Sequence, residues 1–307
     1  MSSEQRVEMT HPAVPTPGSS AFVRKTGSSR WGTFWRNYSR SRGAVIGAIG
    51  LLALILVVIF ERWINPYDPL GVAPLDALKG PTWRHPMGTD QYGRDVFSRV
   101  MEGAHVSLEI GIFAVLISTV VGSSMGLIAG YNEGIIDSVV MRIIDMLLAF
   151  PGVLLALAII ASLGASLRNV IIAVGVGTIP VYARVVRGSV LSVKNSTYVD
   201  AARVVGCSSW RLTIVHILPN ITASVLVLAT IGVAYSVLNG AALSFLGLGV
   251  QPPTAEWGLM VSDGRSYLRD AWWIATGPGI ALALMVLAMN LVGDGLNDAF
   301  DPRSRRR

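Results

Sequence analysis

Side chains that could carry catalytic or metal chemistry are few in this sequence and are widely separated. Among its 307 residues there are four histidines and a single cysteine, Cys207. No Ser/His/Asp or Cys/His arrangement indicates a nucleophilic site, and no Cys/His cluster has zinc-ligand spacing. The G-x-x-x-x-G-K-[ST] loop that holds nucleotide phosphates is also absent. We therefore predict that this chain is not an enzyme and binds no metal or cofactor of its own.

The segment 85–99, HPMGTDQYGRDVFSR, contains potential metal ligands that are close in sequence. His85, Asp90 and Asp95 could together bind a transition metal. One proline and two glycines lie among them, however, and with the nearby Asp and Thr residues they are typical of turns. We favour a structural turn, followed by a short amphipathic helix that begins near Val96.

Three polar residues in apolar surroundings could contact a solute that crosses a membrane. Glu109 lies near one end of an apolar stretch, and an acid at membrane depth is a functional candidate by default. Its position is also shallow enough for the carboxylate to reach the interface. Asn239 and Asn290 could line a pathway or join helices by hydrogen bonds. We name all three as candidates for a translocation path.

The composition places these residues in a membrane protein. Hydrophobic residues make up 52% of the chain and charged residues 14%, whereas soluble domains average about 25% charged residues. An apolar run of about 20 residues spans a bilayer as a helix, which satisfies its own backbone hydrogen bonds. The fourth of six such runs is short and contains Pro180, and we expect it to continue as a helix into the aqueous phase. The predicted spans are 43–60, 106–130, 146–163, 169–183, 221–247 and 271–293.

The distribution of positive charge predicts the orientation. If the N-terminus is cytoplasmic, the segments on that side hold 17 of the 25 lysines and arginines, in agreement with the positive-inside rule. An even number of spans places the C-terminus on the same side. The net charge of +6 is therefore a topology signal, and we predict no binding of nucleic acid.

The loop 188–219, which we call the polar loop, interrupts the apolar pattern. Four of its residues recur at the spacing of one helical face, and Gly206 is placed to end that helix. Such a face could insert into a groove on a partner, or the segment could be an ordinary amphipathic connector at the membrane interface. The face consists of Tyr198, Ala201, Ala202 and Val205, with Asp200 and Arg203 beside it.

A second helix is predicted after Gly206. Ser208 could cap the start of this helix, and Pro219 would interrupt the helix before the next span. Its predicted face consists of Trp210, Thr213, Ile214 and Ile217.

Small residues inside the second span predict a close helix contact. Gly122, Gly126 and Gly130 are spaced by four, and a ridge of this kind lets another helix approach closely.

The polar loop resembles the cytoplasmic loop of ABC importer permeases. The family motif reads Glu-Ala-Ala, three residues, Gly, nine residues, Ile, any residue, Leu-Pro. Asp200 stands here for the usual Glu, and His216 stands at the usual Ile. In the family this loop contains the coupling helix, which seats in a cleft of the ATPase subunit. The resemblance implies that role for Tyr198, Asp200, Ala201, Ala202, Arg203, Val205, Gly206, Leu218 and Pro219.

Three further stretches resemble signatures of the C-type permeases of dipeptide, oligopeptide and nickel importers. They are HPMGTDQYGRDVFSR (85–99), LSFLGLGVQPPTAEWG (243–258) and NLVGDGLNDAFDPR (290–303). With the polar loop, they extend the resemblance over 31–303.

The resemblance implies an all-α integral membrane protein with six transmembrane helices and the type I ABC importer permease fold. It implies a subunit of an ATP-driven importer of di- or oligopeptides, which works by alternating access in a bacterial cytoplasmic membrane. Its partners would be a B-type permease, two ATP-binding subunits or a fused one, and an extracytoplasmic solute-binding protein. ATP and Mg would be used by the ATP-binding subunits.

Other functions remain open at this point. Nickel and haem-type importers use related permeases. A secondary transporter driven by an ion gradient would need inverted repeats and midplane ion ligands, and neither is clear in the sequence. A membrane scaffold or receptor subunit would use the polar loop for docking alone.

These observations give the predicted domain organisation. The parts are a partly disordered cytoplasmic tail (1–42), a first transmembrane helix (43–64), an external loop with a short interfacial helix (65–105), a permease core that includes the polar loop (106–293) and a basic cytoplasmic tail (294–307).

Overall fold

The computed structural model describes residues 30–300, in which every regular element is a helix. The predicted disordered part of the N-terminal tail and the end of the basic tail, 301–307, lie outside the described residues. The helices in the described range are α1 Arg30–Arg40, α2 Arg42–Ile64, α3 Val96–Ile117, α4 Ser123–Asn132, α5 Gly134–Leu148, α6 Gly152–Leu163, α7 Leu167–Lys194, α8 Thr197–Val204, α9 Ser209–Arg211, α10 Leu218–Phe245, α11 Trp257–Gly264 and α12 Trp273–Phe300.

Five helical segments in the described range are long and apolar enough to cross a membrane, and one bent pair adds a possible sixth. A π turn, Ser118–Gly122, joins α3 to α4, and a second, Leu212–Ile217, joins α9 to α10. Each pair therefore continues as one long helix. The five segments are Arg42–Ile64, Val96–Asn132, Leu167–Lys194, Ser209–Phe245 and Trp273–Phe300.

The sixth candidate is the pair α5 and α6, whose axes differ by 86°. The predicted third span, 146–163, crosses this bend, so its boundaries were wrong. Pro151 disfavours the helical conformation at Phe150, and α6 begins directly after it. A 12-residue helix such as α6 is only about 18 Å long, so it does not cross a bilayer core of about 30 Å alone.

Two other predicted boundaries differ from the structure. The short interfacial helix expected within 65–105 is not separate, because α3 starts at Val96 and runs into the span. Asp95 caps that start, and no proline follows before Asn132 to break the helix. At the other end, α12 extends to Phe300, into the region predicted as a tail.

The helix that contains Pro180 continues well beyond its apolar part, as predicted. It is α7, which runs without a break to Lys194. The first part of the polar loop, 188–194, is therefore the charged end of α7, and only Asn195 and Ser196 lie between α7 and α8.

The predicted glycine ridge is confirmed, and its partner is α7. A Cβ atom on Gly126 would lie 2.4 Å from the carbonyl oxygen of Ala183, and one on Gly130 would lie 3.0 Å from that of Arg187. Since real Cβ atoms need more room than this, α4 and α7 are in backbone contact over this length. They form a rigid pair.

A buried tryptophan joins the helices at the opposite end of the molecule. Trp257, at the start of α11, is 1% exposed, and its Nε1 donates to the carbonyl oxygen of Val100 in α3 at 2.9 Å. Next to it, a Cβ on Gly258 would lie 2.4 Å from the backbone of Ala241 in α10. The short helix α11 therefore packs closely against both α3 and α10.

Candidate functional site

Part of the polar loop forms a short helix, α8, whose C-terminus is capped by backbone hydrogen bonds. The N–H of Gly206 donates to Arg203 O at 3.0 Å, and that of Cys207 donates to Ala202 O at 3.1 Å. Gly206 has a φ of +88°, so the pair of bonds is a Schellman motif with glycine in the left-handed position. This confirms that Gly206 ends the helix and fixes the direction of the chain beyond it.

One face of α8 is held against the protein and another is exposed. Val199 is fully buried, and sequence reasoning missed it because it lies outside the predicted apolar face. Ala202 is half-buried, and Ala201 and Gly206 are exposed. Val204 and Val205 expose 86% and 88% of their surfaces. Large apolar side chains exposed together indicate a surface for a partner.

Tyr198 has a different environment from the one predicted for it. Its hydroxyl donates to His216 O at 3.3 Å and accepts from Asn220 Nδ2 at 3.0 Å. Asn220 Nδ2 also donates to His216 O, at 2.6 Å. Tyr198 therefore ties α8 to the following helix, although part of its ring stays exposed.

The two charged residues beside this face pair with each other. Arg203 Nη1 lies 3.3 Å from Asp200 Oδ1, and both side chains are at least half exposed. A pair of this kind contributes at most about 1 kcal/mol, so both groups are available to a partner at small cost.

The predicted face of the second helix is only partly correct, since of its four residues Ile217 is buried and Thr213 is half-buried. The buried residues are Leu212 and Ile217, whereas Trp210 is 76% exposed and Ile214 is 39% exposed. The cause is the π turn Leu212–Ile217, which moves buried positions five residues apart and breaks the 3.6-residue period.

Ser208 and Pro219 also behave differently from their predicted roles. Ser208 precedes α9, but its side chain makes no capping hydrogen bond. Pro219 does not interrupt the helix, which continues to Phe245. The N–H of Leu218 donates five residues back, to Thr213. This wider turn relieves the clash that a proline makes in a regular helix.

The three translocation-path candidates do not meet in one cavity. Glu109 lines an open groove of about 530 Å³ between α3 and α7, which Arg168 also lines. Asn239 lines a different cavity between α6, α7 and α10, and its Nδ2 donates to Tyr235 O at 2.7 Å. Asn290 is exposed on α12 and lines neither space.

The segment 85–95 is a structural turn, as favoured from its sequence. Asp95 accepts from the Ser98 N–H at 2.8 Å, and His85 Nδ1 lies 2.8 Å from the other Asp95 oxygen. Asp90 is bound instead to Arg94, at 2.6 Å. Within residues 30–300, no three His, Cys, Asp or Glu side chains are grouped to hold a metal.

Removal of the Asp95 carboxylate should destabilise this turn. We expect Asp95→Ala to lower the free energy of unfolding by about 1–2 kcal/mol, because it removes the cap of α3. Thermal unfolding of the detergent-solubilised chain checks this result. Asp76→Asn, in the exposed pair with Lys79, is the control and should leave the melting temperature unchanged. Equal melting temperatures for Asp95→Ala and Asp76→Asn would contradict the role of the cap.

Sequence reasoning missed a buried acid on the same side of the molecule. Glu256 is 1% exposed and caps α11 by accepting from the N–H groups of Gly258 and Leu259, both at 2.8 Å. Burial raises the pKa of its carboxyl, while these N–H groups and the hydroxyls of Ser244 and Ser107 oppose the rise. The position of Glu256 directly before the WG pair was a weak signal, because glutamate is not a favoured capping residue.

Comparison with known proteins gives consistent matches along the chain. A family described as "Binding-protein-dependent transport system inner membrane component" matches residues 122–306. A second, described as "N-terminal TM domain of oligopeptide transport permease C", matches residues 29–81. The two matches together cover the first span and most of the remaining helices.

Curated relatives and a solved structure agree with these matches. The glutathione transport system permease protein GsiD of Pectobacterium atrosepticum is 43% identical over 274 residues, which are 89% of this chain and 91% of that protein. The protein of the same name from Shigella boydii is 47% identical, over 89% of this chain and 90% of its own length. A structure of the MetNI methionine ABC transporter in an inward facing conformation matches with a TM-score of 0.56 at 18% identity, over 67% of this chain and 98% of that chain. At this identity the last match supports the fold alone.

Proposed function

Because the chain belongs to the family of binding-protein-dependent transport system inner membrane components, the permeases of ABC importers, we propose that residues 198–206 dock on a separate ATP-binding subunit. The observation that carries this proposal is the geometry of α8. Buried Val199 and the closure at Gly206 hold the helix in place, while Val204 and Val205 are almost fully exposed. A rigid apolar face outside the membrane core suits insertion into a groove.

The chain is a membrane-spanning permease subunit, and the remaining parts of the machine are proposed from this assignment. A paired B-type permease completes the translocation path, and a solute-binding protein delivers substrate from outside. Two ATP-binding subunits, or a fused one, bind ATP and Mg, and this chain hydrolyses none. ATP can shift the permease between its inward-facing and outward-facing states only through contacts that differ between the two. We assign those contacts to the polar loop.

The orientation follows from the same proposal. Docking on an ATP-binding subunit requires the polar loop to be cytoplasmic, which places both termini on that side of a bacterial cytoplasmic membrane. The charge distribution of the sequence supports this arrangement.

The docking proposal is tested by cross-linking at a single thiol. In a Cys207→Ser background, Val205→Cys should form a cross-link to the ATP-binding subunit of the assembled complex. Val72→Cys is the matched control, since Val72 is also exposed, at 61%, but lies in the loop between α2 and α3. Cross-linking at neither position, or at residue 72 only, would contradict the proposed docking site.

For the substrate, we propose a small peptide. The support is that the relatives with 43% and 47% identity are named as glutathione transport permeases. Proteoliposomes that contain the full importer should take up glutathione or a dipeptide in an ATP-dependent manner. ATP-dependent uptake of a nickel chelate or of haem, without peptide uptake, would instead favour the alternative cargoes. Uptake that needs no ATP and follows a pH gradient would contradict an ABC importer.

A further inference from the structure

Helix α5 is attached to the rest of the chain by few apolar contacts. Among its residues, only Ile144 is fully buried, against Ile179 and Ala183 of α7. The half of α5 nearest the polar loop has no buried apolar side chain, and Ile135 there is 82% exposed. Apart from its connection to α4 through Glu133, this half is held against α7 by polar contacts.

These contacts are three ion pairs that join α7 to α5 and to Glu133, the residue before α5, and we call them the ion-pair ladder. Arg187 binds Asp137 in a bidentate manner at 2.6 and 2.5 Å. The other two pairs are Arg184–Asp145 at 2.6 Å and Lys194–Glu133 at 2.8 Å.

The pair in the middle of the ladder is the best placed to hold the helices together. Asp137 and Arg187 expose 16% and 34% of their side chains, whereas Arg184 and Asp145 are more than half exposed. Two parallel charge-assisted bonds also fix the orientation of the guanidinium. Asp145 and Glu133, the acids of the other two pairs, are each about half exposed, so water screens those pairs more and each contributes less.

The helices on which the ion-pair ladder is built, α4 and α7, are closely packed and are connected to the polar loop. Backbone contact at Gly126 and Gly130 joins α4 to α7. Only two residues separate Lys194 from the start of α8, and buried Val199 anchors that helix. A displacement of the polar loop would therefore move α7 and α4 together. Glu133 alone joins α5 to α4, so the orientation of α5 relative to α7 depends on Ile144 and on the ion pairs.

The far end of α5 leads to a cavity in the membrane-spanning part. After the bend, Gly152, Val153 and Ala156 of α6 line the cavity that Asn239 also lines. A movement of α5 would be passed to α6 and would change the shape of this cavity.

We propose that the Asp137–Arg187 pair is a positioning contact, which transmits movement of the polar loop through α7 to the bent pair α5–α6. This inference rests on the proposed docking of the polar loop on an ATP-binding subunit. The pair does not touch substrate or nucleotide. It acts by making α5 follow α7.

The test measures substrate imported per ATP hydrolysed by the reconstituted importer. Asp137→Asn and Arg187→Gln should each lower this ratio by about 5-fold or more, the lower end of typical coupling effects. ATP hydrolysis should continue, because the polar loop still reaches its partner. The reversed pair, Asp137→Arg with Arg187→Asp, should restore most of the ratio. Asp76→Asn, at the exposed Lys79 pair, is the control and should leave it unchanged.

A purely structural role predicts a different result. In that case import and ATP hydrolysis would fall in proportion to the yield of complex, the ratio would stay constant, and the proposal would be overturned. An unchanged ratio at normal yield would overturn it as well. Failure of the docking proposal is recognised separately, by the absence of the Val205→Cys cross-link in the wild-type background of Asp137 and Arg187.

Discussion

Gly206→Leu should abolish uptake by the assembled importer while the chain still inserts into the membrane. Gly206 has a φ of +88°, and the left-handed conformation costs an ordinary residue about 1–2 kcal/mol. Apart from its two chain neighbours, no residue has an atom within 4 Å of the position where its Cβ would be, so the change acts through the backbone alone. Leucine would open the Schellman motif and turn Val205 away from the proposed partner. Uptake into proteoliposomes and the amount of chain in the membrane measure the two effects.

The variant Gly164→Leu is a control that distinguishes the effect of backbone strain on uptake from the effect of lost docking. Gly164 also has a φ of +88°, with open space around it, but it lies between α6 and α7, away from the polar loop. Its ψ of 159° lies in a region that is essentially restricted to glycine, so we expect its substitution to cause at least as much strain and to leave uptake intact. Gly206→Asn should also retain uptake, since asparagine tolerates the left-handed conformation. Loss of uptake in Gly164→Leu equal to that in Gly206→Leu would contradict the explanation.

Ala202→Asp is a second route to the same defect. Ala202 is half-buried on α8, and a docked partner would cover it further. A carboxylate without a partner in such a place costs several kcal/mol. The variant should therefore insert normally, fail to bind the ATP-binding subunit and show no uptake. Normal uptake would exclude this face from the interface.

Much of the fold could be predicted from the sequence, because the membrane limits the choices. Apolar runs become helices there, so five predicted spans correspond to long helices in the structure. Glycines spaced by four indicated the contact that the structure places between α4 and α7. The resemblance of the polar loop identified the family that the comparisons confirm.

The errors arose where local pattern and three-dimensional packing disagree. The π turn at Leu212–Ile217 changes the spacing of buried residues. No residue type in the sequence predicts a turn of this kind. The bend between α5 and α6 lies inside one apolar run, so hydropathy alone merged the two helices. Pro151 was the signal that could have divided them.

The candidate site was only partly predictable for a related reason. Gly206 was identified because a left-handed position selects for glycine. Val199 and Glu256 were missed because their burial depends on residues distant in sequence, such as Ser107 for Glu256. The ion-pair ladder joins residues 39 to 61 positions apart, and a single sequence does not show which acids and bases will meet.

Gly126→Ala and Gly188→Ala should change stability in opposite directions. A Cβ on Gly126 would lie 2.4 Å from Ala183 O, and overpacking of this kind costs about 1–3 kcal/mol. Gly188 lies on an exposed face of α7, where nothing is within 4 Å of an added Cβ. Alanine there should stabilise the helix by up to about 1 kcal/mol. Denaturant unfolding of the detergent-solubilised chain measures both free energies.

The opposite signs matter because both substitutions add the same methyl group to a helix. Helix propensity alone predicts a gain at both positions, so a loss at Gly126 isolates the cost of separating α4 from α7. The ion-pair ladder depends on this contact between α4 and α7, because it is α7 that the ladder joins to α5. If Gly126→Ala were as stable as Gly188→Ala, α4 and α7 would not be in backbone contact, and movement of the polar loop would not reach α5 by this route.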